Sequence, residues 1–539
     1  MIRIFALSLL AAACGGSARD NGDGEPQMPL GGRGNAAAGS GGRGTVTGGQ
    51  GMVSAGSNGA GEGGQGAASS GGLGGGAGAG ASNAGQRGVE LDGAPLYSRV
   101  QRLTNRQWEN AVSDVLRFSA PQNLSATFAR PVAGAADFDN NERLLFVDAT
   151  GFLDFESGAE AAAKLATGSP EALAALYDGS DSAELVRSVG RRAFRRPLTP
   201  EEEATYQRVF ARGEELYGSG FANGAALVIR ALLQSPHFLY RTELGPAGKP
   251  LSSYEVASKL SFWLLGTTPS DALLDSAEAG VFEDPDRLEA AARQMLEAPG
   301  ALEVLRDFHD QLLDLGLYQT VDKPGAPEFD PAIDPELERA SHAFFERIFR
   351  EGLGLREVFT SESAFVGPGL APFYGLDAPA GLELLQLGSA RRGYFMQVPF
   401  LMLWGVNDAS DPAARGAALQ KMLCNTRPDP LPLGSALEGF DGLGRQRDTN
   451  VGTGRYPFAD GSKDFADGTE LMAILADSAQ AHTCYAKNLA AYGLGRDLVE
   501  SDRVWLESLA QVSLAESLKE TIIALVRAPE FRMRTEAVR

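Results

Sequence analysis

A clear indication of the fold is the stretch SSYEVASKLSFWLL, which runs from Ser252 to Leu265. Ser252 and Glu255 have the spacing of a capping box, in which each side chain accepts a hydrogen bond from the other residue's backbone N–H at a helix start. The apolar residues from Val256 to Leu265 recur at helical spacing. We therefore predict a helix that begins directly after Ser252.

Helix starts of the same kind occur along the rest of the chain. Thr104 and Gln107 form a second capping box, and Thr199 precedes Pro200 and a run of acids, which suit a first helical turn. Apolar residues recur at helical spacing in residues 288–296, 301–315, 335–349, 414–423, 469–475, 481–492 and 513–526. Alternating strand patterns are scarce, although residues 365–403 suit loops and short strands equally well. The predicted class is mainly α: a multi-helical body with a few short strands or irregular loops, preceded by a disordered Gly-rich tether.

The N-terminus has the composition of a bacterial export signal. In MIRIFALSLLAAAC, an arginine precedes a short apolar run and three alanines, and Cys14 follows directly. A cysteine at this place resembles a lipoprotein cleavage site, so we predict a lipoprotein signal peptide over residues 1–13 and lipidation of Cys14. Ala11 stands where such sites usually have leucine, and an ordinary signal peptide is the alternative.

Residues 14–95 have the composition of a disordered linker. They consist almost entirely of Gly, Ala, Ser, Asn and Gln, so they cannot bury enough apolar surface to offset the entropy of ordering them. A flexible tether of about 80 residues has a root-mean-square span of roughly 50 Å. The linker either holds a folded body away from a membrane or is a neutral low-complexity insertion.

The charge of the chain argues against nucleic acid as a partner. The formal net charge is −21 over 539 residues, and such a surface repels phosphate backbones. The densest basic run, from Arg191 to Pro197, stands beside glutamates from Glu201 to Glu203, so a charge-paired helix boundary is the better interpretation. After the N-terminus, no apolar run approaches the roughly 20 residues of a membrane-spanning helix.

Five pairs of phrases, in order, resemble one family of secreted proteins common in planctomycetes and myxobacteria. They are VQRLTNRQWENAVSDVL with DFDNNERLL, RRAFRRPLTPEE with SPHFLYRTE, EVASKLSFWLLGTTPSDALL with FEDPDRLEAAARQML, RRGYFMQVPFLML with AARGAALQKMLC, and CYAKNLAAYGLGR with APEFR. The family's parts are known as domains of unknown function 1587, 1595, 1592, 1588 and 1585. The resemblance places five modules at residues 96–168, 181–245, 250–380, 381–450 and 460–539, and it implies no known activity.

The chain departs from this family at one motif. Many relatives carry a CxxCH segment, the attachment motif for a c-type haem, after the cysteine of the fourth module. Here PDPLPLG continues directly into SALEGFDGLGR, and no CxxCH occurs in the chain. We therefore expect no covalent c-type haem, which puts an electron-transfer role in doubt.

Two cysteines, Cys424 and Cys484, stand 60 positions apart in the predicted body. In an exported protein an isolated pair of cysteines favours a disulfide, which we predict here. Two buried thiols that only pack are the alternative. A redox-active disulfide is less well supported, because no CxxC lowers the pKa of either thiol.

The chain lacks the sequence motifs of nucleophile elbows, phosphate loops and zinc helices, so its catalytic residues are unknown. His342 and Glu346 stand four residues apart on a predicted helix, and His309 lies between Asp307 and Asp310 on another. If those helices pack face to face, His309, His342 and Glu346 are candidate metal ligands. Solvated surface contacts are the alternative.

Two acidic stretches have features of calcium loops. DFDNNE, from Asp137 to Glu142, offers oxygens at alternating positions, with Asp137 and Asp139 as the first candidate ligands. Glu142 replaces the glycine that an EF-hand needs at position six, so an Asx-rich turn is the simpler interpretation. The stretch ADGSKDFADGTE, residues 459–470, either holds calcium or forms a solvated loop before a helix capped near Thr469.

A glycine and arginine pattern occurs twice, in GFDGLGR around Arg445 and in YGLGR around Arg496. Glycines permit tight turns there, and each guanidinium could bind a carboxylate in a bidentate manner. Asp441 is the acid nearest to Arg445 in sequence. These residues form either an internal ion pair that shapes the domain or a clamp for a ligand.

Three functions are compatible with the sequence. The first is a lipid-anchored accessory or binding module at the cell envelope, with an envelope protein or polysaccharide as partner. The second is a metal-dependent or oxidative enzyme that acts on extracellular polymers. The third is an electron-transfer protein with non-covalent haem. We predict the first, located at the outer membrane or its periplasmic face.

Overall fold

Helices form most of the folded chain, which confirms the predicted mainly α class. The computed structural model describes residues 89–91, 100–130, 138–246, 248–407, 409–426, 428–447 and 452–534. The predicted signal peptide, the lipidation site Cys14, most of the predicted linker and Asp137 lie outside the described residues. Within those residues, no helix is long and apolar enough to cross a membrane.

The helices follow one another with short connections. The first group is α1 (Asn105–Val115), α2 (Ala149–Thr167), α3 (Pro170–Leu176), α4 (Ser182–Phe194), α5 (Pro200–Tyr217), α6 (Phe221–Leu233) and α7 (Pro236–Leu239). The central group is α8 (Ser253–Leu265), α9 (Asp271–Glu278), α10 (Pro285–Leu296), α11 (Pro299–Leu313), α12 (Asp334–Arg350), α13 (Leu355–Thr360), α14 (Ala371–Tyr374) and α15 (Val398–Leu403). The last group is α16 (Pro412–Lys421), α17 (Leu431–Ser435), α18 (Gly468–Ala476), α19 (Ala479–Leu494), α20 (Arg503–Ala515), α21 (Leu518–Arg527) and α22 (Pro529–Arg532). Short 3₁₀ helices lie at Val281–Glu283, Leu315–Thr320, Pro331–Ile333, Ser389–Arg391, Tyr394–Met396 and Glu500–Asp502.

The strands form small antiparallel pairs. The pairs are β1 (Val100–Arg102) with β2 (Tyr240–Thr242), β3 (Ser363–Val366) with β4 (Glu383–Gln386), β5 (Gly405–Val406) with β6 (Ala409–Ser410), and β7 (Gly454–Phe458) with β8 (Gly461–Phe465). In the first pair Val100 lies opposite Thr242, so the start of the body is held against the end of α7. For residues 365–403 the sequence did not decide between loops and short strands. The structure combines short strands with short helices there.

Helix α8, which carries the stretch quoted first, contributes to two hydrophobic cores. One core is formed by side chains of α1 to α7 and includes Phe262 of α8. The larger core, from α8 onward, includes Val256, Leu260 and Trp263 of the same helix. All residues from Val256 to Leu264 are buried. This helix therefore joins the N-terminal and C-terminal parts of the body.

The predicted helix starts are present in the structure. Each of the three capping boxes forms with both reciprocal hydrogen bonds, between Thr104 and Gln107, Thr199 and Glu202, and Ser252 and Glu255. In the last of these, the backbone N–H of Ser252 donates to Oε2 of Glu255 over 2.7 Å.

Two predictions near the C-terminus were wrong. The apolar run 513–526 is divided between α20 and α21, because Oγ of Ser517 accepts a hydrogen bond from the N–H of Glu520 and starts a new helix. Residues 461–465 form β8 of a hairpin rather than a loop. The helix predicted to be capped near Thr469 is present: it begins at Gly468, and the carboxylate of its cap, Asp467, accepts from the N–H of Glu470 over 2.9 Å.

The start of the described chain contacts the C-terminal part. Val89 is buried, and its carbonyl oxygen accepts a hydrogen bond from Nη1 of Arg503 at the start of α20, over 3.3 Å. Leu91 packs against the larger hydrophobic core. The segment ahead of β1 is thus attached to α20.

Two glycines allow α16 and α17 to pack with their backbones in close contact. A Cβ atom on Gly416 would lie 2.0 Å from the carbonyl oxygen of Pro430, and one on Gly434 would lie 1.7 Å from that of Pro412. No larger side chain fits at either place, so these glycines determine the approach of the two helices.

Candidate functional site

Residues 138–142 of the DFDNNE motif form a turn that binds the C-terminal YGLGR motif. Nδ2 of Asn140 donates to the carbonyl oxygen of Tyr492 over 2.8 Å, and the N–H of Glu142 donates to that of Gly495 over 2.8 Å. Oδ1 of Asn141 accepts from the N–H of Arg143 over 3.0 Å, which is an Asx turn. The motif therefore connects the first and last parts of the body.

Asp139 lies beside α11 in this turn. Its N–H donates to Oε1 of Gln311 over 2.8 Å, and its carboxylate accepts from Nε2 of the same side chain over 3.1 Å. Asp148 is the twelfth residue counted from Asp137, which is the last ligand position of a calcium loop. It instead caps α2 by accepting from the N–H of Gly151 over 2.8 Å. The described residues of the pattern are thus all engaged in contacts within the protein.

Asp307 of α11 is the centre of a polar cluster shared by three helices. Its Oδ2 atom accepts from Nη2 of Arg106 in α1 over 2.7 Å, from the Tyr492 hydroxyl in α19 over 2.6 Å, and from Nε2 of Gln311 over 2.9 Å. Burial raises the pKa of the Asp307 carboxyl, and the charge of Arg106 opposes that shift. Burial also raises the pKa of the Tyr492 phenol well above its usual value. The cluster joins three distant parts of the sequence.

His309 of α11 is a buried, neutral histidine. Its Nδ1 atom lies 2.9 Å from the carbonyl oxygen of Leu305, which can only accept, so Nδ1 carries the proton. Its Nε2 atom therefore accepts from the Tyr485 hydroxyl, at 3.0 Å. The ring stacks on Phe345 at a centroid distance of 4.1 Å. Burial lowers the pKa of His309 from 6.5 to about 3.

The structure gives the other candidate metal ligands different partners. Nε2 of His342 lies 2.6 Å from Oδ1 of Asp310, and the carboxylate of Glu346 pairs with Arg306. In the part of the chain that the structure describes, no group of three or more His, Cys, Asp and Glu side chains could hold a metal ion.

Arg445 and Asp441 form an ion pair within the GFDGLGR motif. Nε of Arg445 donates to Oδ2 of Asp441 over 2.7 Å, while Oδ1 of Asp441 accepts from the backbone N–H of Leu443 over 3.0 Å and from that of Arg445 over 2.8 Å. Glu328 provides a second acid for Arg445, 2.5 Å from Nη1. The pair closes the turn of the motif.

Arg496 of the second motif belongs to a separate, buried ion pair. Nη1 lies 2.6 Å from Oδ2 of Asp502, and Nη2 lies 3.1 Å from Oδ1. Only 2% of the Arg496 side chain and 4% of the Asp502 side chain are exposed. The two arginines that the sequence pattern grouped together thus bind different acids.

Sequence reasoning missed Arg415 of α16, which is completely buried. Its guanidinium donates to the carbonyl oxygens of Leu401, Leu437, Phe440 and Asp441 over 2.5–3.1 Å. Burial lowers the pKa of Arg415 to about 10. An arginine in a helix gives no sequence signal for this role, because its acceptors are backbone atoms of an earlier helix and of a later segment.

The predicted disulfide between Cys424 and Cys484 is confirmed. The Cα atoms are 5.4 Å apart, and the bond joins the chain just after α16 to α19. Nδ2 of Asn488 lies 3.6 Å from the sulfur of Cys484 and 3.8 Å from that of Cys424. The bond links the segment of buried Arg415 to the helix that carries Tyr485 and Tyr492.

An apolar cavity lies beside the Asp307 cluster. Its volume is about 20 Å³, and its lining includes Trp263, Leu305, Phe308, Leu489 and Tyr492. A cavity of that size accommodates about one water molecule. It offers no room for a substrate.

The fold and the contacts between its segments define a multi-module helical protein, and comparison with known families agrees. Four segments of the chain match four protein families, each described as a protein of unknown function. In chain order the families are DUF1587 (residues 101–168), DUF1595 (181–243), DUF1592 (251–376) and DUF1585 (461–531). The chain belongs to this multi-module family. The 1588-like module at residues 381–450 stays a prediction. Searches of curated proteins and of solved structures gave no match.

Proposed function

We propose that this protein is a lipid-anchored, extracytoplasmic accessory or binding module of the cell envelope. The observation that carries the proposal is the disulfide between Cys424 and Cys484. Disulfides form and persist in oxidising compartments such as the periplasm and the cell surface, and they are rare in the cytosol. The disulfide therefore supports export of the folded body.

The sequence ahead of the body supports a lipid anchor. Cys14 follows a short apolar run and three alanines, and a Gly-rich linker separates it from Val89. An acyl anchor holds a protein at a bilayer without a spanning helix. The anchor would hold the body at the outer membrane or its periplasmic face.

The candidate polar residues have partners within the fold, so the proposed binding role does not rest on them. Asp307, His309, Asp441 and Arg496 each contact other parts of the fold, as the distances above describe. The net charge of −21 disfavours anionic polymers as partners. A neutral polysaccharide or another envelope protein is therefore the partner class that we propose.

Metabolic labelling with an alkyne fatty acid tests the anchor in the full-length chain expressed in a bacterium that processes lipoproteins. We expect the label on the wild type, which will fractionate with membranes, and no label on Cys14→Ser. The double variant Cys424→Ser/Cys484→Ser is the matched control and will keep the label. An unlabelled wild type, or a labelled Cys14→Ser variant, contradicts the anchor.

Binding is tested with the soluble Cys14→Ser chain. We expect it to sediment with isolated envelopes of the host, and protease treatment of those envelopes will distinguish a protein partner from a polysaccharide. A chain that stays in the supernatant with both untreated and protease-treated envelopes contradicts the binding role. This outcome is independent of the labelling result.

A further inference from the structure

Two tyrosines of α19 each donate their phenolic proton to an acceptor on α11. Tyr485 donates to Nε2 of His309 over 3.0 Å, and Tyr492 donates to Oδ2 of Asp307 over 2.6 Å. The two tyrosines are seven positions apart, which places them on one side of the helix and about 10 Å apart along its axis. Each phenol thus has a base of its own.

The Tyr485–His309 pair lies in the core. Tyr485 is 3% exposed and His309 is 1% exposed. Because Nδ1 of His309 donates to Leu305, the lone pair of Nε2 faces the phenol and can take its proton. Neutral imidazole is the stable form at this position, since burial lowers the pKa of His309 to about 3. The pair is therefore poised for proton transfer upon oxidation of the phenol.

We propose that Tyr485 and His309 form a redox site at which Tyr485 is oxidised by one electron while its proton passes to His309. The electron goes to an external one-electron oxidant, such as a high-valent metal complex. The phenolic O–H bond breaks and an N–H bond forms at Nε2. The products are a neutral tyrosyl radical and an imidazolium. An external one-electron donor, such as a reduced metal complex, then reduces the radical, and the proton returns from Nε2 of His309 to the Tyr485 oxygen.

The surroundings of His309 support this step. An oxidised phenol is a far stronger acid than an imidazolium, so a weakly basic imidazole still accepts its proton. The imidazolium would keep the Nδ1 bond to Leu305 and would face the ring of Phe345, whose centroid lies 4.1 Å away. Aromatic faces stabilise cations at such distances.

Contacting rings lead from this pair towards the surface. The Phe308 ring centroid lies 5.6 Å from that of Tyr485 and 5.5 Å from that of Tyr492. Asp307, which accepts the proton of Tyr492, is partly exposed, at 21%. An electron can therefore leave Tyr485 through Phe308 and Tyr492, and the Tyr492–Asp307 pair is the part of this path nearer the surface.

A second buried tyrosine pair, Tyr318 and Tyr394, has no basic side chain as hydrogen-bond partner among the described residues. The hydroxyls of Tyr318, Tyr394 and Ser341 hydrogen bond to one another over 3.0–3.1 Å, and that of Ser341 also donates to Leu337. None of these partners is a base comparable to imidazole. This cluster is equally buried and provides a control.

Flash oxidation of the full-length protein by a photogenerated ruthenium(III) polypyridyl complex tests the proposal. We expect a long-lived neutral tyrosyl radical by transient absorption and electron paramagnetic resonance, formed more slowly in D₂O. Tyr485→Phe will reduce its yield at least tenfold, and Tyr394→Phe will leave the yield unchanged. Tyr492→Phe will slow its formation.

His309→Gln keeps a hydrogen-bond acceptor but removes the base, so the radical should become short-lived in a protein with unchanged circular dichroism. If that variant does not fold, the radical yield of Tyr485→Phe and the rate of radical formation in D₂O still test the proposal. An undiminished radical in Tyr485→Phe, or equal rates in H₂O and D₂O, overturns the proposal. Neither result bears on lipid anchoring or envelope binding.

Discussion

Arg496 and Asp502 form a bidentate ion pair that is almost completely shielded from water. The pair lies directly after α19, where the chain leaves the YGLGR motif. Oδ2 of Asp502 also accepts from the N–H of Val499 over 2.9 Å. One carboxylate thus neutralises the buried guanidinium and holds the loop that leads to α20.

Replacing Asp502 by alanine should strongly destabilise the protein. The change leaves the guanidinium of Arg496 buried without a counter-charge, and breaking a buried pair in this way costs about 3–5 kcal/mol. Asp464→Ala is the control, because it removes an exposed pair with Arg455 and should cost less than about 1 kcal/mol. Urea unfolding measures both, and equal losses contradict the prediction.

Loss of the disulfide should lower stability by about 4 kcal/mol. The bond closes a loop of 60 residues, and the chain-entropy estimate for a loop of that length gives this value. The measurement compares the urea midpoint of Cys424→Ser/Cys484→Ser with that of the wild type. Cys14→Ser, which retains the bond, should unfold like the wild type. A double variant as stable as the wild type speaks against the bond.

His309 should make stability depend on pH below about 6.5. The folded state keeps His309 neutral down to a pKa of about 3, whereas the unfolded chain takes up a proton near 6.5. The stabilisation is complete above pH 6.5 and is lost as the pH falls towards 3, by about 1.4 kcal/mol per unit. His309→Gln should have a flatter profile in urea unfolding from pH 7 to 4. Parallel profiles refute this assignment.

Gly434→Ala should separate α16 from α17. The added methyl group meets the carbonyl oxygen of Pro412, and overpacking of a tight contact costs about 1–3 kcal/mol. Gly439→Ala provides the control, because nothing lies within 4 Å of a Cβ there; we expect a change within about 0.5 kcal/mol. Thermal unfolding compares the two. Similar melting temperatures contradict the close packing of these helices.

Local features of the fold could be predicted from the sequence. Thr104, Thr199 and Ser252 start helices because a capping box depends on residues only three positions apart. The break at Ser517 was missed for a related reason: Ser517 and Glu520 form the start of α21 inside a run whose apolar spacing continues through it. Local periodicity alone does not detect such an interruption.

The polar contacts between distant segments could not be predicted. Asn140 binds Tyr492, and Asp307 binds Arg106, across hundreds of positions in sequence. Asx-rich turns and single arginines occur in many surroundings, so their partners depend on how the helices pack. The disulfide could be predicted because the body contains two cysteines, Cys424 and Cys484, which allow one pairing.

The attachment of Val89 to Arg503 has a mechanical consequence. Tension applied to the chain ahead of Val89 reaches α20, a helix of the C-terminal part, before it reaches the three-residue strand β1. The load is therefore shared between the two ends of the polypeptide, and β1 is relieved of shear as long as the contacts of Val89 and Leu91 hold.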